Sequence, residues 1–314
     1  MTAKYINTKS AIFCTLLCLA YVATGFAAEV GSSHSKGVVR QVDHIVIRVE
    51  TVADAESLWS LFSEKLKLPI AWPPADYGEF FSGGVNAGNV NIEFAYLNSR
   101  WQKSHWTPEF HTRAQFFGFG LEPEPLTIAL QELERRGLQH DRPEPYQITK
   151  RDGGTQTLWT EVALPGLSRQ MSVFLIEYDP FIWQTPDRPQ QNIEQVRQSL
   201  KDELRQRDGG PAGILSVKEI LIGTPAYKVT TRLWQTLLSP GAPKFHGNWQ
   251  PAAGPAIRFV PARTEGIESI VIRVAALDRT HKFLKANGLL DQSTKRAIVM
   301  DHGTLLGIDI QFVE

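Results

Sequence analysis

The feature that most constrains this chain is a seven-residue strand that occurs twice. Asp43-His44-Ile45-Val46-Ile47-Arg48-Val49 and Glu268-Ser269-Ile270-Val271-Ile272-Arg273-Val274 agree at five of seven positions. Both are apolar and β-branched, the composition of a strand. Each leads within a few residues into a helical pattern. After the first, Ala55, Leu58, Leu61, Phe62 and Leu66 share one face; after the second come His281, Phe283 and Leu284, closed by Asn287-Gly288. Two more segments follow the plan. Phe116 to Leu121 precedes a helix over Leu126 to Arg136, and Val217 to Gly223 precedes a helix from Pro225 to about Leu238. Strand-like runs follow the helices, clearest at Val90 to Leu97, Thr157 to Leu164, Ser172 to Tyr178, Ile257 to Pro261 and Ile308 to Val313. The pattern predicts an α+β fold of four βαβββ modules.

The modules alternate in type. The first and third helices carry Leu58-Trp59 and Leu233-Trp234, whereas the second and fourth end in Arg136-Gly137-Leu138 and Asn287-Gly288-Leu289. This order implies two tandem pairs, at 40–190 and 212–314, joined by a polar linker helix and hinge over 191–211. A ferredoxin-like α+β sheet is the competing fold.

Residues 1–28 read as a cleavable signal peptide. Lys4 and Lys9 are basic, no acidic residue precedes Glu29, and Ala11 to Ala23 is apolar. That run is too short to span a ~30 Å hydrocarbon core as a helix, and Gly25 and Ala27 suit cleavage after Ala27. A periplasmic or secreted protein is expected, with no membrane association after cleavage. Cys14 and Cys18, the two cysteines, lie inside the signal, so the mature chain has no disulfide and no thiolate ligand. Formal net charge is zero and no basic run appears, which argues against a nucleic-acid partner. No G-x-G-x-x-G or phosphate loop follows a strand, and Gly166-Leu167-Ser168 lacks the second Gly of a nucleophile elbow.

Three local matches carry a family resemblance over about 43–180. These are Val42-Asp43-His44-Ile45-Val46, then Lys150-Arg151-Asp152-Gly153-Gly154 with Leu158-Trp159, then Phe174-Leu175-Ile176-Glu177-Tyr178. They resemble the glyoxalase-like domains of the vicinal-oxygen-chelate superfamily, which includes glyoxalases, bleomycin-resistance proteins and extradiol dioxygenases. The resemblance implies that two modules curl a sheet into a cup holding a divalent metal, with ligands from the first and last strand of each module. Carried onto this chain, the ligands are His44, Glu93 and Glu177. The fourth position falls on Phe116-Phe117-Gly118, which has no ligand-type side chain. One imidazole and two carboxylates suit manganese, iron, nickel, zinc or magnesium and leave open positions for a chelating substrate. Without a second His the dioxygenase triad is unmatched, which favours lyase or isomerase chemistry.

Each residue has a plainer role to set against this one. His44 can be a hydrogen-bonded structural residue, Glu93 can face solvent, and Glu177 can be ion-paired. The linker Trp101-Gln102-Lys103-Ser104-His105-Trp106-Thr107-Pro108-Glu109-Phe110-His111 is aromatic for a polar loop. Its Trp101, His105, Trp106 and His111, with Trp159, are candidates to wall a pocket for a planar molecule. His105 and His111 could also complete a metal site from the loop. The second pair has Glu219 and Ser269 at the position of His44, and Arg258 and Gln311 at the closing strands, so it reads as degenerate. The expectation is an exported metal-dependent lyase, isomerase or dioxygenase-type enzyme acting on a small oxygenated substrate. The alternatives are a non-catalytic small-molecule-binding protein of the same fold and a scaffold with no ligand.

Overall fold

The computed structural model describes residues 37–104, 110, 112–150, 153–184, 190–240 and 246–314. Residues 1–28, read above as a signal peptide, lie outside them. Among the described residues no helix is long and apolar enough to cross a membrane.

The first half forms one eight-stranded sheet, in the order β2-β3-β4-β1-β5-β8-β7-β6. Its strands are β1 (Val39–Val49), β2 (Ile70–Asp76), β3 (Phe80–Asn86), β4 (Asn91–Leu97), β5 (Ala114–Pro123), β6 (Glu144–Thr149), β7 (Thr155–Ala163) and β8 (Ser172–Tyr178). Between β1 and β2 runs α1 (Val52–Ser60), extended by a π-helical turn over Leu61–Lys65. Thr51 caps α1 by accepting from the Asp54 N–H, the N-cap role that Thr favours. Two further helices are α2 (Ser99–Ser104) and α3 (Leu126–Arg135), and α4 (Ile193–Gln206) leaves the sheet.

The second half forms a seven-stranded sheet, β10-β11-β9-β12-β15-β14-β13. Its strands are β9 (Ile214–Thr224), β10 (Asn248–Trp249), β11 (Ala256–Pro261), β12 (Gly266–Val274), β13 (Leu290–Ser293), β14 (Ile298–Met300) and β15 (Ile310–Val313). The helices are α5 (Tyr227–Leu238) and α6 (Leu277–Ala286). Both sheets follow one plan. Each unit's first strand pairs in parallel with its last, as β1 with β4, β5 with β8, β9 with β11 and β12 with β15. The two first strands pair antiparallel at the centre, β1 with β5 and β9 with β12.

The third unit departs from the expected three return strands. After α5 the described residues contain only β10, of two residues, and β11.

One apolar core joins the two halves, and residues 35–314 hold together as a single unit. Trp234 of α5 is fully buried and packs at 5.8 Å on Phe119 of β5 and at 5.3 Å on Phe259 of β11. Asn89 clasps the backbone of Val217, donating to its carbonyl and accepting from its N–H, both at 2.9 Å. Arg136, just past α3, donates to the Thr236 and Leu237 carbonyls at 3.0 Å and to that of Ser239. These are end carbonyls of α5 that lack helical partners, and a cation there also suits the helix dipole.

Candidate functional site

Strand alternation sends odd-numbered residues of β1 one way and even-numbered ones the other. Ile45, Ile47 and Val49 enter the main core, while Val46 joins a separate cluster with Phe117, Trp159, Phe174 and Ile176. That second cluster lines the hollow of the first sheet. The hollow is a cavity of about 600 Å³. Trp72, Tyr77, Phe80, Trp101 and Trp159 are among its walls, and His44, Glu93 and Glu161 are among its polar lining.

Successive residues Asp43 and His44 should face opposite sides of a regular strand. They do not, because the pairing of β1 with β5 slips between Val42 and His44. Such an irregularity re-aims a side chain. Asp43 and His44 therefore meet, with Nδ1 of His44 2.8 Å from the Asp43 carboxylate. The other ring nitrogen, Nε2, lies 3.4 Å from the Glu93 carboxylate on β4. The imidazole rests where Gly120 of β5 has no side chain: a Cβ there would stand 2.6 Å from its Cε1. Phe174 packs against the ring at 5.5 Å and Trp72 meets its edge at 6.4 Å.

Asp43 is the hub of the charges. Its carboxylate also accepts from the Tyr178 hydroxyl at 2.8 Å and pairs with Arg197, which reaches in from α4. The same Arg197 holds Glu122 of β5 at 2.7 Å. Burial pushes Asp43 up, but the His44 hydrogen bond, the Arg197 and His44 charges and the Tyr178 hydroxyl outweigh it. The net result lies well below the usual carboxylate range. Burial opposes charge on His44 as well, yet Asp43, Glu93 and Glu161 together raise its pKa above the ordinary imidazole value. Glu161 of β7 goes the other way. Burial, reinforced by Glu93 and Glu144 against the pull of His44, lifts it to about 7.

The structure brings together two of the three expected ligands, His44 and Glu93. Glu177 lies elsewhere. On β8 the side chains of Phe174 and Ile176 face the cup, so Glu177 between Ile176 and Tyr178 points out of it, and is exposed. Its carboxylate accepts from the Leu126 N–H at 2.8 Å, the first orphan donor of α3. Trp101, on α2, and Trp159 both wall the cavity. Trp159 stacks on Tyr146 at 4.2 Å, and Trp101 meets the edge of Phe80 at 5.7 Å. His105, Trp106 and His111 lie outside the described residues. Asp43, Tyr178, Arg197 and Glu161 are not singled out by sequence analysis. Glu161 stands two residues from Trp159 on one strand, so period-two alternation puts both in the same cup. Arg197 carries no local signal, because 154 positions separate it from Asp43.

The residues present were tested against the divalent metal that the resemblance implies. Facing the cup, the second module offers Phe117 and Gly120 on β5 and Phe174 and Ile176 on β8. None of these, on the two strands from which the resemblance draws ligands, is a donor, and Phe174 fills space beside His44; Glu161 of β7 also lines the cup. Among the described residues no group of three or more His, Asp or Glu is arranged to hold a metal ion. The described side chains do not fit a three-ligand site.

The second sheet repeats the geometry with other chemistry. Val46 pairs with Glu93 across β1 and β4, and Leu221 pairs with Arg258 at the matching place across β9 and β11. Glu219, at the position of His44, holds Arg258 through two bonds of 2.7 and 3.0 Å. An ion pair thus stands where the first sheet has His44 and Glu93.

No protein-family model matches the chain, and no curated protein matches it in sequence. Solved structures do match. A hypothetical protein from Staphylococcus aureus is 10% identical with a TM-score of 0.53, over 87% of this chain and 98% of its own. The 2,3-dioxygenase LapB from Pseudomonas sp. KL28 is also 10% identical, with a TM-score of 0.51 over 88% and 92%. A variant of homoprotocatechuate 2,3-dioxygenase from Brevibacterium fuscum is 7% identical, with a TM-score of 0.52 over 91% and 74%. At such identities the likeness speaks to architecture alone. The two curled sheets, their paired first strands and these structural neighbours together show that the chain has the vicinal-oxygen-chelate fold.

Proposed function

We propose that this protein binds a small, largely apolar molecule in its first cup and exchanges a proton with it through His44, Glu93 and Glu161. The observation that carries the reading is the aromatic-walled cavity of about 600 Å³ with those three groups in its lining. Cavities of ~300–1,000 Å³ with few polar groups on apolar walls are the usual form of a small-molecule site.

The chemistry follows from how the groups are held. Asp43, kept ionised, orients the imidazole through Nδ1 and leaves Nε2 toward the cup. His44, whose proton affinity is raised above the ordinary imidazole value, faces the Glu93 carboxylate through Nε2 and, when protonated, can donate there to a ligand oxygen. Glu161, with a pKa of about 7, gives or takes a proton near neutrality. Neighbouring groups whose proton affinities are pushed apart are the usual division between an ionised anchor and an acid–base residue. Isomerase or lyase chemistry, moving a proton next to a polarised carbonyl, matches these parts. A divalent metal would take His44 and Glu93 as two of its ligands, and no step here depends on it.

A second reading, sequestration without turnover, is favoured by one observation. Among the described residues no three donors are arranged for the metal chemistry that the resemblance implies. Both readings require the cup to be occupied. We also infer export through residues 1–28, checked by mass spectrometry of the N-terminus of protein from the periplasmic or culture fraction.

The test is a screen of planar oxygenated compounds by tryptophan fluorescence, with and without chelator, on wild type, His44→Ala and Glu93→Gln. Binders should quench the cavity tryptophans, resist chelator and weaken at least about tenfold in both variants, as the loss of a charged hydrogen bond implies. Each binder is then incubated and its products analysed, which separates turnover from sequestration. Binding unchanged in both variants would count against the site.

A further inference from the structure

The charges around the cavity indicate the class of ligand, an inference that rests on the first cup being the binding site. Among the described residues, its charged lining comprises the carboxylates of Asp43, Glu93, Asp141, Glu144 and Glu161 and the basic side chains of His44, Arg142 and Arg197. Arg197 is committed to Asp43 and Glu122. His44 lies between Asp43 and Glu93. The cup therefore has more acid than base, and Glu161 has no cation within ion-pair distance among the described residues.

Aromatic rings sit on the same face of the sheet. Glu161 stands two positions from Trp159 on β7, and Trp159 stacks on Tyr146. Tyr77 stacks on Phe80 at 4.9 Å and meets the edge of Trp159 at 6.0 Å. Electron-rich ring faces and an excess of carboxylate both attract positive charge, and both repel an anion.

We propose that the ligand of the first cup is an organic cation, a protonated or quaternary amine with an apolar body, which the aromatic wall surrounds and Glu161 neutralises. The proton affinity of Glu161 agrees with this role. A carboxyl lifted to about 7 by burial and by neighbouring carboxylates gains most from an arriving cation.

The experiment uses probes of one shape and different charge: benzyltrimethylammonium, its neutral carbon isostere neopentylbenzene, and the anion phenylacetate. Each is titrated into the full mature chain, followed by tryptophan fluorescence and calorimetry, in wild type and Glu161→Gln. The ammonium should bind about tenfold or more tighter than the isostere, the size of a desolvated cation–aromatic contact with a counter-ion. Phenylacetate should bind weakest. In Glu161→Gln the ammonium should fall to the level of the isostere, with the near-ultraviolet circular dichroism of the tryptophans reporting that the cup is intact. Equal or tighter binding of the neutral or anionic probe in wild type overturns the cation assignment and leaves the cup as a binding site. A charge preference that survives Glu161→Gln overturns the role of Glu161. If no probe binds, the cation assignment fails together with the reading of the cup as a site.

Discussion

Asp43 ties its neighbour His44 to two groups that the chain brings from far away, Tyr178 of β8 and Arg197 of α4. Replacing it by Asn leaves the guanidinium of Arg197 partly buried with half its charge partner gone. Asp43→Asn should cost about 3–5 kcal/mol, as broken buried ion pairs do, measured by urea unfolding. The pH dependence has a definite sign. His44 binds its proton more tightly folded than unfolded, so its contribution is complete below the ordinary imidazole range and is lost as pH rises through the folded midpoint. Asp43 is depressed, so its contribution is complete above the ordinary carboxylate range and is lost as pH falls toward its folded midpoint. The network should therefore stabilise most between about pH 4 and pH 6.5. Comparing unfolding across pH in wild type and Asp43→Asn checks this, and parallel curves would contradict it. At this scale the sequence was half legible. The family resemblance singled out His44 on the first strand and Glu93 on the last strand of the first module. The bulge that turns Asp43 toward His44 depends on cross-strand register, which no local pattern displays.

At the scale of elements, Gly120 of β5 and Glu177 of β8 separate site from scaffold. Gly120→Ala places a methyl against the His44 ring and should weaken ligand binding while the strand persists, since its backbone suits any residue. Glu177→Ala removes a helix-capping acceptor from α3. It should lower stability by about 1 kcal/mol and leave ligand affinity unchanged, whereas a metal-ligand role would require loss of metal and of binding. The misplacement of Glu177 has a simple cause. A nearly continuous apolar run, Val173 to Ile176, is buried on both faces, so hydrophobicity alone does not tell which side the next residue takes. The strands β2 and β3 were harder to read, since Pro73-Pro74 and Gly83-Gly84 lower strand propensity. Those glycines serve packing: a Cβ on Gly84 would fall 2.5 Å from the Trp72 ring that meets the edge of His44. The helix α4 was legible as a polar connector. Its second role, lining the cup with Arg197, Ile193, Val196 and Leu200, depends on tertiary placement.

At the scale of the molecule, one core and several polar clasps join the sheets, so the two halves should unfold in a single transition. Asn89→Ala, which strips both bonds from Val217, should cost about 1–3 kcal/mol through unpaired buried backbone groups. Two separate transitions by fluorescence and circular dichroism would contradict the shared core. The repeated strand revealed the general architecture because identical strands need similar surroundings. The division of labour between the sheets was also visible, in Glu219 and Arg258 at the places of His44 and Glu93, although their direct pairing was not. The whole account rests on His44 being a proton-holding group between two carboxylates. Long-range proton–nitrogen NMR of the histidine rings in the chain from residue 28 onward, before and after chelator, tests this most directly. The predicted result is a His44 ring protonated on both nitrogens at pH 7 and unchanged by chelator. An unprotonated Nε2 whose signal moves when chelator is added would contradict it, and would make His44 a metal ligand.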